Sequence, residues 1–203
     1  MNLVAKDYEE TYTRVSKPAY ELFKEFIGLY VENGDLVVDV GAGVGIIEKL
    51  IFENKNCEII GIEPDRKSVK ISKNISNYSP LLAVGEYMPI RDEIADVVTS
   101  NHMLHWTPDK EKVIREMVRV LKNKGRGLIG DCCYLDNVTH EEIIRSMECT
   151  RKEIGHAHKS EDFIRVEDLN QLLEKYDMKI VKSEEILPNP DIKRKYYVTS
   201  FVK

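Results

Sequence analysis

The sequence lacks any apolar run near the roughly 18 residues that would cross a bilayer. Its opening, Met1-Asn2-Leu3-Val4-Ala5-Lys6-Asp7-Tyr8, also lacks the apolar core and cleavage site of a secretory signal. A cytoplasmic chain without a membrane anchor is expected. Cysteine is scarce: Cys57, Cys132, Cys133 and Cys149 contain no C-x-x-C pair, and adjacent Cys132 and Cys133 make a poor structural disulfide. Reduced thiols are therefore expected. Excess positive charge is missing too, with 30 Lys and Arg against 35 Asp and Glu for a formal net charge of -5. That balance disfavours a broad grip on nucleic acid. Repeats, low-complexity tracts and a second-domain boundary are absent, so residues 1–203 read as one domain. At 42% hydrophobic the chain is too apolar for disorder.

What is present is an alternation of short apolar and amphipathic segments, which predicts helices covering a mainly parallel sheet. Strands are expected at 36–40, 58–62, 81–84, 96–100, 126–131, 178–184 and 196–202. Pro18 opens a helix whose apolar side is Leu22, Phe23, Phe26, Ile27 and Tyr30, and Asn33-Gly34 stops it. A second helix carries Ile46, Ile47, Leu50 and Ile51. Asp65 caps a third that runs to about residue 76, with Asn77 as its left-handed terminator. The stretch between 84 and 96 is short for a helical crossover, so a loop or a single helical turn is expected there. Thr107-Pro108-Asp109 starts a helix that buries Val113, Met117, Val120 and Leu121 and ends before Gly125. Further helices are expected at 138–154 and 166–176, and Pro188-Asn189-Pro190 joins the last two strands.

In an open parallel sheet, ligands bind beyond the carboxyl ends of the strands, where the strand order reverses. The turn after the first predicted strand lies there, as Asp39-Val40-Gly41-Ala42-Gly43-Val44-Gly45. Glycines let the backbone approach a ligand closely, and the following helix offers unpaired N–H groups. The dinucleotide fingerprint G-x-G-x-x-G would put its third glycine at position 46, which is Ile46; here that glycine is Gly45. This spacing resembles motif I of the class I S-adenosylmethionine-dependent methyltransferases. The second strand ends in Gly61-Ile62-Glu63-Pro64, and a carboxylate at that point can accept hydrogen bonds from both hydroxyls of a ribose. The resemblance implies that role for Glu63, with Pro64 in the same turn.

Gly85-Glu86-Tyr87-Met88-Pro89-Ile90 resembles the family's G-D-A-x-x-L-P-F segment, whose acid faces the adenine amino group. That assigns the contact to Glu86, while Tyr87 replaces a small residue and could lie against the adenine face. The run from Ser100-Asn101-His102-Met103-Leu104-His105-Trp106 to Thr107-Pro108-Asp109 resembles S-N-x-x-L-H-W-x-P-D. That segment belongs to the ubiquinone/menaquinone-biosynthesis-like small-molecule methyltransferases (methyltransferase type 11). Glu116-Met117-Val118-Arg119-Val120-Leu121-Lys122 resembles their E-x-x-R-V-L-K, with Asn123-Lys124-Gly125 in place of P-G-G. The N-terminal segment with Tyr8, Tyr12, Arg14 and Lys17 resembles Y-x-x-x-R. It suggests Arg14 for the donor's carboxylate and Tyr12 for closure over the donor. The likeness covers roughly residues 10–131. It implies a Rossmann-like class I fold, with a seven-stranded, mostly parallel sheet, an antiparallel last strand and helices on both faces. It also implies S-adenosylmethionine as cofactor and S-adenosylhomocysteine as product, with Asp39, Gly41, Ala42, Gly43 and Gly45 forming the donor turn.

Methyl transfer from a sulfonium is an in-line displacement whose leaving group is already activated. Holding the reactants in line can contribute about 7–11 kcal/mol. A base is needed only when the nucleophile carries a proton. His102 and His105 are the candidate bases, and Asn101 and His102 are expected beside the methyl group. His140, Cys149, His156 and His158 fit no standard zinc spacing, so no metal is expected. Asn189-Pro190 stands in the wrong place for the N-P-P-Y motif of nucleic-acid amino methyltransferases. Cys132-Cys133 ends the fifth strand near the pocket rim, as a packed pair or a hold for a soft metalloid. Without an added recognition domain or a marked basic face, the expected acceptor is a small molecule, with residues 132–165 as its lid and a monomer or homodimer as the working unit. The rival readings are a protein or RNA methyltransferase, using Lys and Arg of 145–165 and 193–195, and a non-catalytic donor-binding protein. A nicotinamide-dependent oxidoreductase is disfavoured by Ile46.

Overall fold

Leu36–Val40 is a run of branched apolar side chains interrupted only by Asp39, and it forms strand β1, covered on both faces as a central parallel strand requires. The computed structural model describes residues 17–135, 163–189 and 194–203. In chain order the elements are α1 (Lys17–Tyr30), β1, α2 (Ile46–Phe52), β2 (Glu58–Glu63), α3 (Arg66–Ser72) and β3 (Tyr78–Leu82). They continue with β4 (Ala95–Asn101), a short 3₁₀ turn (Leu104–Trp106), α4 (Lys110–Val120), β5 (Leu121–Tyr134), α5 (Val166–Lys175), β6 (Lys179–Asn189) and β7 (Arg194–Val202). The seven strands lie in the order β3-β2-β1-β4-β5-β7-β6. Pairings among β1 to β5 are parallel, and β7 runs antiparallel to both β5 and β6. This is the expected mostly parallel sheet with an antiparallel last strand.

Because successive strand residues face opposite sides, β1 feeds two cores. Val38 and Val40 pack with Val113, Met117, Leu169 and Leu173 of α4 and α5. Val37 packs with Phe23, Phe26 and Ile27 of α1 and with Ile47 and Ile51 of α2. Strand order reverses between β1 and β4, so the turn leaving β1 and the loop leaving β4 share one end of the sheet. That is the switch point at which such sheets bind ligands.

Several boundaries differ from the sequence expectation. Helix α3 is capped by Asp65, which accepts from the Ser68 N–H at 2.8 Å, but it stops at Ser72. Asn77 then takes the left-handed conformation, with φ of 58°, and hands the chain to β3. Strand β3 begins at Tyr78, not 81, because pairing from Tyr78↔Ile59 to Leu82↔Glu63 recruits its first residues. Pro80 is tolerated because β3 is an edge strand. The 83–94 segment has no helix, in keeping with the short spacing. Asp109, not Thr107, caps α4, accepting from the Lys112 N–H at 3.0 Å. Leu121 leaves the helix to open β5 opposite Ala95, and β5 runs on to Tyr134 opposite Arg194. Strand β6 continues through Asn189, so Pro188 and Asn189 belong to it and not to the connection. The 138–154 helix lies outside the described residues, as does most of the 132–165 segment. Among the described residues no helix is long and apolar enough to cross a membrane.

Candidate functional site

The turn after β1 needs its glycines: Gly41, Gly43 and Gly45 have φ of 83°, 54° and 89°, a region other residues enter at a cost of about 1–2 kcal/mol. Gly41 and Ala42 donate their N–H groups to the Ile62 carbonyl at 2.8 and 3.1 Å, tying the turn to the end of β2. The Gly43 N–H donates to Glu63 Oε2 at 2.8 Å, and the Asp65 N–H donates to Glu63 Oε1 at 2.7 Å. One nearly buried carboxylate thus organises both loops, and each oxygen keeps a lone pair that a ligand hydroxyl can use. Pro64 is exposed beside it. A Cβ on Gly41 would stand 2.2 Å from Met103 Cγ, so the loop leaving β4 leans directly on this turn.

Asp39 is placed differently from the other members of the turn. It is buried at the end of β1, and the Thr99 hydroxyl donates to its Oδ1 at 2.5 Å. Glu48 of α2 is completely buried nearby. Burial pushes the Asp39 carboxyl up to about 6, against the lowering bonds from Thr99 and Glu48, and pushes Glu48 well above the carboxylate range with Asp39 adding to it. The two form a proton-retaining acid pair under the turn. Nothing in the sequence pattern marks Glu48, which sits in a helix read only for its apolar face.

Glu86 is half-buried and its Oε1 accepts from the Thr107 hydroxyl. Tyr87 is 68% exposed, with the Lys112 ammonium 3.2 Å from its ring centre, a cation–π contact on the outer surface. The structure therefore brings Glu86 to the loop after β4 but turns Tyr87 to solvent. Behind this segment, Glu116 Oε2 accepts from the Met88 N–H at 2.9 Å. Arg119 donates to Glu116 at 2.7 Å and to the Ile90 and Met88 carbonyls at 2.7 and 3.1 Å. The E-x-x-R pattern is thus a clasp that fixes the 86–90 segment.

At the end of β4, Asn101 Oδ1 accepts from the buried Tyr196 hydroxyl at 2.6 Å, so this amide is engaged with β7. His102 has φ of 53°, and its ring lies 4.9 Å from that of Tyr196. Burial drives its pKa down to about 4, outweighing the opposing pull of Asp131. His105 lies on the 3₁₀ turn, where its Nδ1 meets Asp131 Oδ1 at 2.5 Å and its ring stacks on Phe163 at 5.2 Å. Asp131, completely buried on β5, is the functional candidate that sequence reasoning missed. The only signal was a lone acid at the carboxyl end of a parallel strand. His102, Asp131 and Cys132 place a nitrogen, an oxygen and a sulfur within 4.8 Å of one another. The set fits a metal poorly, because Asp131 Oδ1 is already met by the Cys132 N–H and by His105 Nδ1 and burial holds the Cys132 thiol protonated. Tyr12 and Arg14 lie outside the described residues, as do His140, Cys149, His156 and His158.

A glycine turn at the strand-order switch, an acid ending β2 and a seven-stranded sheet with β7 antiparallel define the Rossmann-like class I methyltransferase fold. Residues 38–129 match the family model described as a methyltransferase domain. The methyltransferase YcgJ of Bacillus subtilis (strain 168) is 30% identical over 138 residues, which is 63% of this chain and 54% of that protein. The arginine-hydroxylase NDUFAF5 of Rattus norvegicus is 25% identical over 188 residues, covering 89% of this chain and 51% of that one. The chain thus spans about half the length of these curated relatives. The crystal structure of the Bacillus subtilis YcgJ protein superposes with a TM-score of 0.70 at 17% identity, covering 91% of this chain and 98% of that one; at that identity the likeness carries the fold alone.

Proposed function

We propose that this chain binds S-adenosylmethionine at residues 41–45 and transfers its methyl group to a small-molecule acceptor. The observation that carries this reading is the bond from the Gly43 N–H to Glu63, which joins the glycine turn at the strand-order switch to the acid ending β2. In it, Glu63 holds the ribose hydroxyls, and Gly41, Ala42, Gly43 and Gly45 supply close backbone with Pro64 at the rim. Glu86 takes the adenine amino group. Asp39 supports the turn from beneath, and Tyr87 is a surface residue rather than an adenine contact. Asn101, His102 and His105 belong to the methyl-transfer end, with Tyr12 and Arg14 assigned to the donor's amino-acid end. When bound, the donor supplies an electrophilic methyl group, and the chain's work is orientation and exclusion of water.

A small acceptor is favoured over nucleic acid because many cations of the described residues are committed to acids. Lys122 pairs with Asp96, Arg126 with Asp35, Lys195 with Glu185 and Lys203 with Glu93. The test is calorimetry with S-adenosylhomocysteine, followed by a crystal structure of the complex. One site at 41–45 with the ribose on Glu63 is expected, and a failed titration overturns the reading. The hydroxylase among the relatives favours a second reading, donor-type binding that serves other chemistry on the same fold. Formation of S-adenosylhomocysteine from the donor with an acceptor panel decides between them.

A further inference from the structure

Asp131 lies at the carboxyl end of β5 with no exposed surface, and two backbone N–H groups and a ring nitrogen of His105 converge on its carboxylate. The His105 backbone N–H donates to Oδ2 at 3.1 Å, the Cys132 N–H donates to Oδ1 at 2.8 Å, and His105 Nδ1 stands 2.5 Å from Oδ1. Two of these partners are amides, which can only donate. A carboxylate receiving them is held in its ionised, accept-only form, and against the raising effect of its burial its pKa is lowered, first by His105, then by His102 and the Cys132 N–H. The third contact must then also be a donor, so the proton sits on Nδ1 of His105. In the neutral ring, Nε2 keeps its lone pair.

The surroundings fix this arrangement. The His105 ring lies nearly parallel to Phe163, at 16° and 5.2 Å between ring centres, and Trp106 is 5.6 Å away on the same turn. The loop carrying His105 also carries Met103, whose Cγ would stand 2.2 Å from a Cβ on Gly41, so this loop leans on the glycine turn. His102 cannot share the role. Its half-buried ring packs against Tyr196 and stays neutral well below neutral pH, which makes it a weak base.

We infer that Asp131 is a positioning residue that sets the tautomer of His105, that Nε2 of His105 is the base for methyl transfer, and that the acceptor's reacting atom carries a proton. This rests on the methyl-transfer reading above. A nucleophile without a proton, such as a thioether, needs only orientation, and a buried Asp–His pair beside the donor turn would then be idle. In the step, the heteroatom X of an X–H acceptor attacks the sulfonium methyl carbon. The X–CH₃ bond forms as the C–S bond breaks, its electron pair stays on sulfur as a neutral thioether, and the proton passes from X to Nε2. The imidazolium, stabilised by Asp131, later releases that proton to water.

The test is long-range ¹H–¹⁵N NMR on the histidine-labelled full chain, with His105→Gln to assign the ring. The expected result is Nδ1–H with an unprotonated Nε2 in the wild type. In Asp131→Ala the acceptor for Nδ1–H is removed, and the Nδ1–H form should give way to Nε2–H. An Nε2–H tautomer in the wild type, or an unchanged tautomer in Asp131→Ala, overturns the assignment. Where Asp131→Ala does not fold, the wild-type spectrum alone decides. For the acceptor class, 2-mercaptoethanol, catechol, ethanolamine and dimethyl sulfide are the probes. Turnover of a protic probe should fall about 100-fold or more in His105→Gln and about 10-fold or more in Asp131→Ala. Turnover of dimethyl sulfide alone, equal rates in His105→Gln, or no turnover of any probe removes the protic-acceptor claim. Calorimetry with S-adenosylhomocysteine separates the two levels: lost binding in the wild type sinks the methyl-transfer reading, while the tautomer result stands or falls by itself.

Discussion

The Gly43 N–H donates to Glu63 Oε2 at 2.8 Å, and through this bond the turn after β1 and the end of β2 form one unit. Glu63 therefore does two jobs in the proposed function, shaping the turn and presenting acceptor oxygens to a ribose.

Replacing Glu63 by alanine should weaken S-adenosylhomocysteine binding at least about tenfold, the equivalent of 1.4 kcal/mol. It should also lower stability by about 1–3 kcal/mol, because the Gly43 and Asp65 N–H groups lose their acceptor. Glu63→Gln, which retains one carbonyl oxygen, should lose less stability. Calorimetry and thermal unfolding read the two effects separately, and wild-type affinity in Glu63→Ala would end the ribose assignment.

Two glycines should respond in opposite senses to the same substitution. Gly41→Ala places a Cβ 2.2 Å from Met103 Cγ at φ of 83°, so it should push the 102–106 loop away and weaken donor binding. Gly28, exposed in α1 with nothing within 4 Å of its would-be Cβ, should gain about 0.5–1 kcal/mol on becoming alanine. Denaturant midpoints that move the same way for both would contradict this.

The Asp39–Glu48 pair should give the fold an unusual pH response. Both carboxyls bind protons more tightly in the folded chain than in the unfolded one, Asp39 at about 6 against 3.8. Between those values the folded state holds more protons, so stability falls as pH rises from about 4 through 6 and stays lower above it. Glu48→Gln keeps the shape and removes one ionisation. It should be more stable than wild type at pH 8 and close to it at pH 4. Urea unfolding across that range is the measurement, and a variant that loses stability at pH 8 refutes the account.

Arg119→Lys should loosen the 86–90 segment despite keeping the charge. A single ammonium cannot reproduce the planar fork that reaches Glu116 and the Met88 and Ile90 carbonyls together. A stability loss of about 1–3 kcal/mol is expected, with faster amide exchange at Met88. Unchanged exchange would show that the clasp is not needed.

Much of the frame was legible in the residues themselves. The spacing of Gly41, Gly43 and Gly45, the acid at 63 and the alternation of strand and helix patterns are local signals. A turn needing positive φ selects glycine, and a buried strand selects branched apolar residues, wherever the chain later goes. Boundaries set by partners were not legible. Tyr78 joins β3 because β2 lies beside it, and Asn189 joins β6 because Arg194 faces it. Thr107 looks like a cap but gives its hydroxyl to Glu86, leaving the cap to Asp109.

The sequence by itself determined the class of fold, the turn and the acid that follows it, because short-range sterics and hydrophobic period are written in neighbouring positions. Tertiary structure alone decided which polar groups meet. Asp131 reaches His105, and Glu48 comes beside Asp39, only because sheet order and helix packing bring distant segments together. Burial then makes each such meeting count, since a charge removed from water must find a donor or keep its proton.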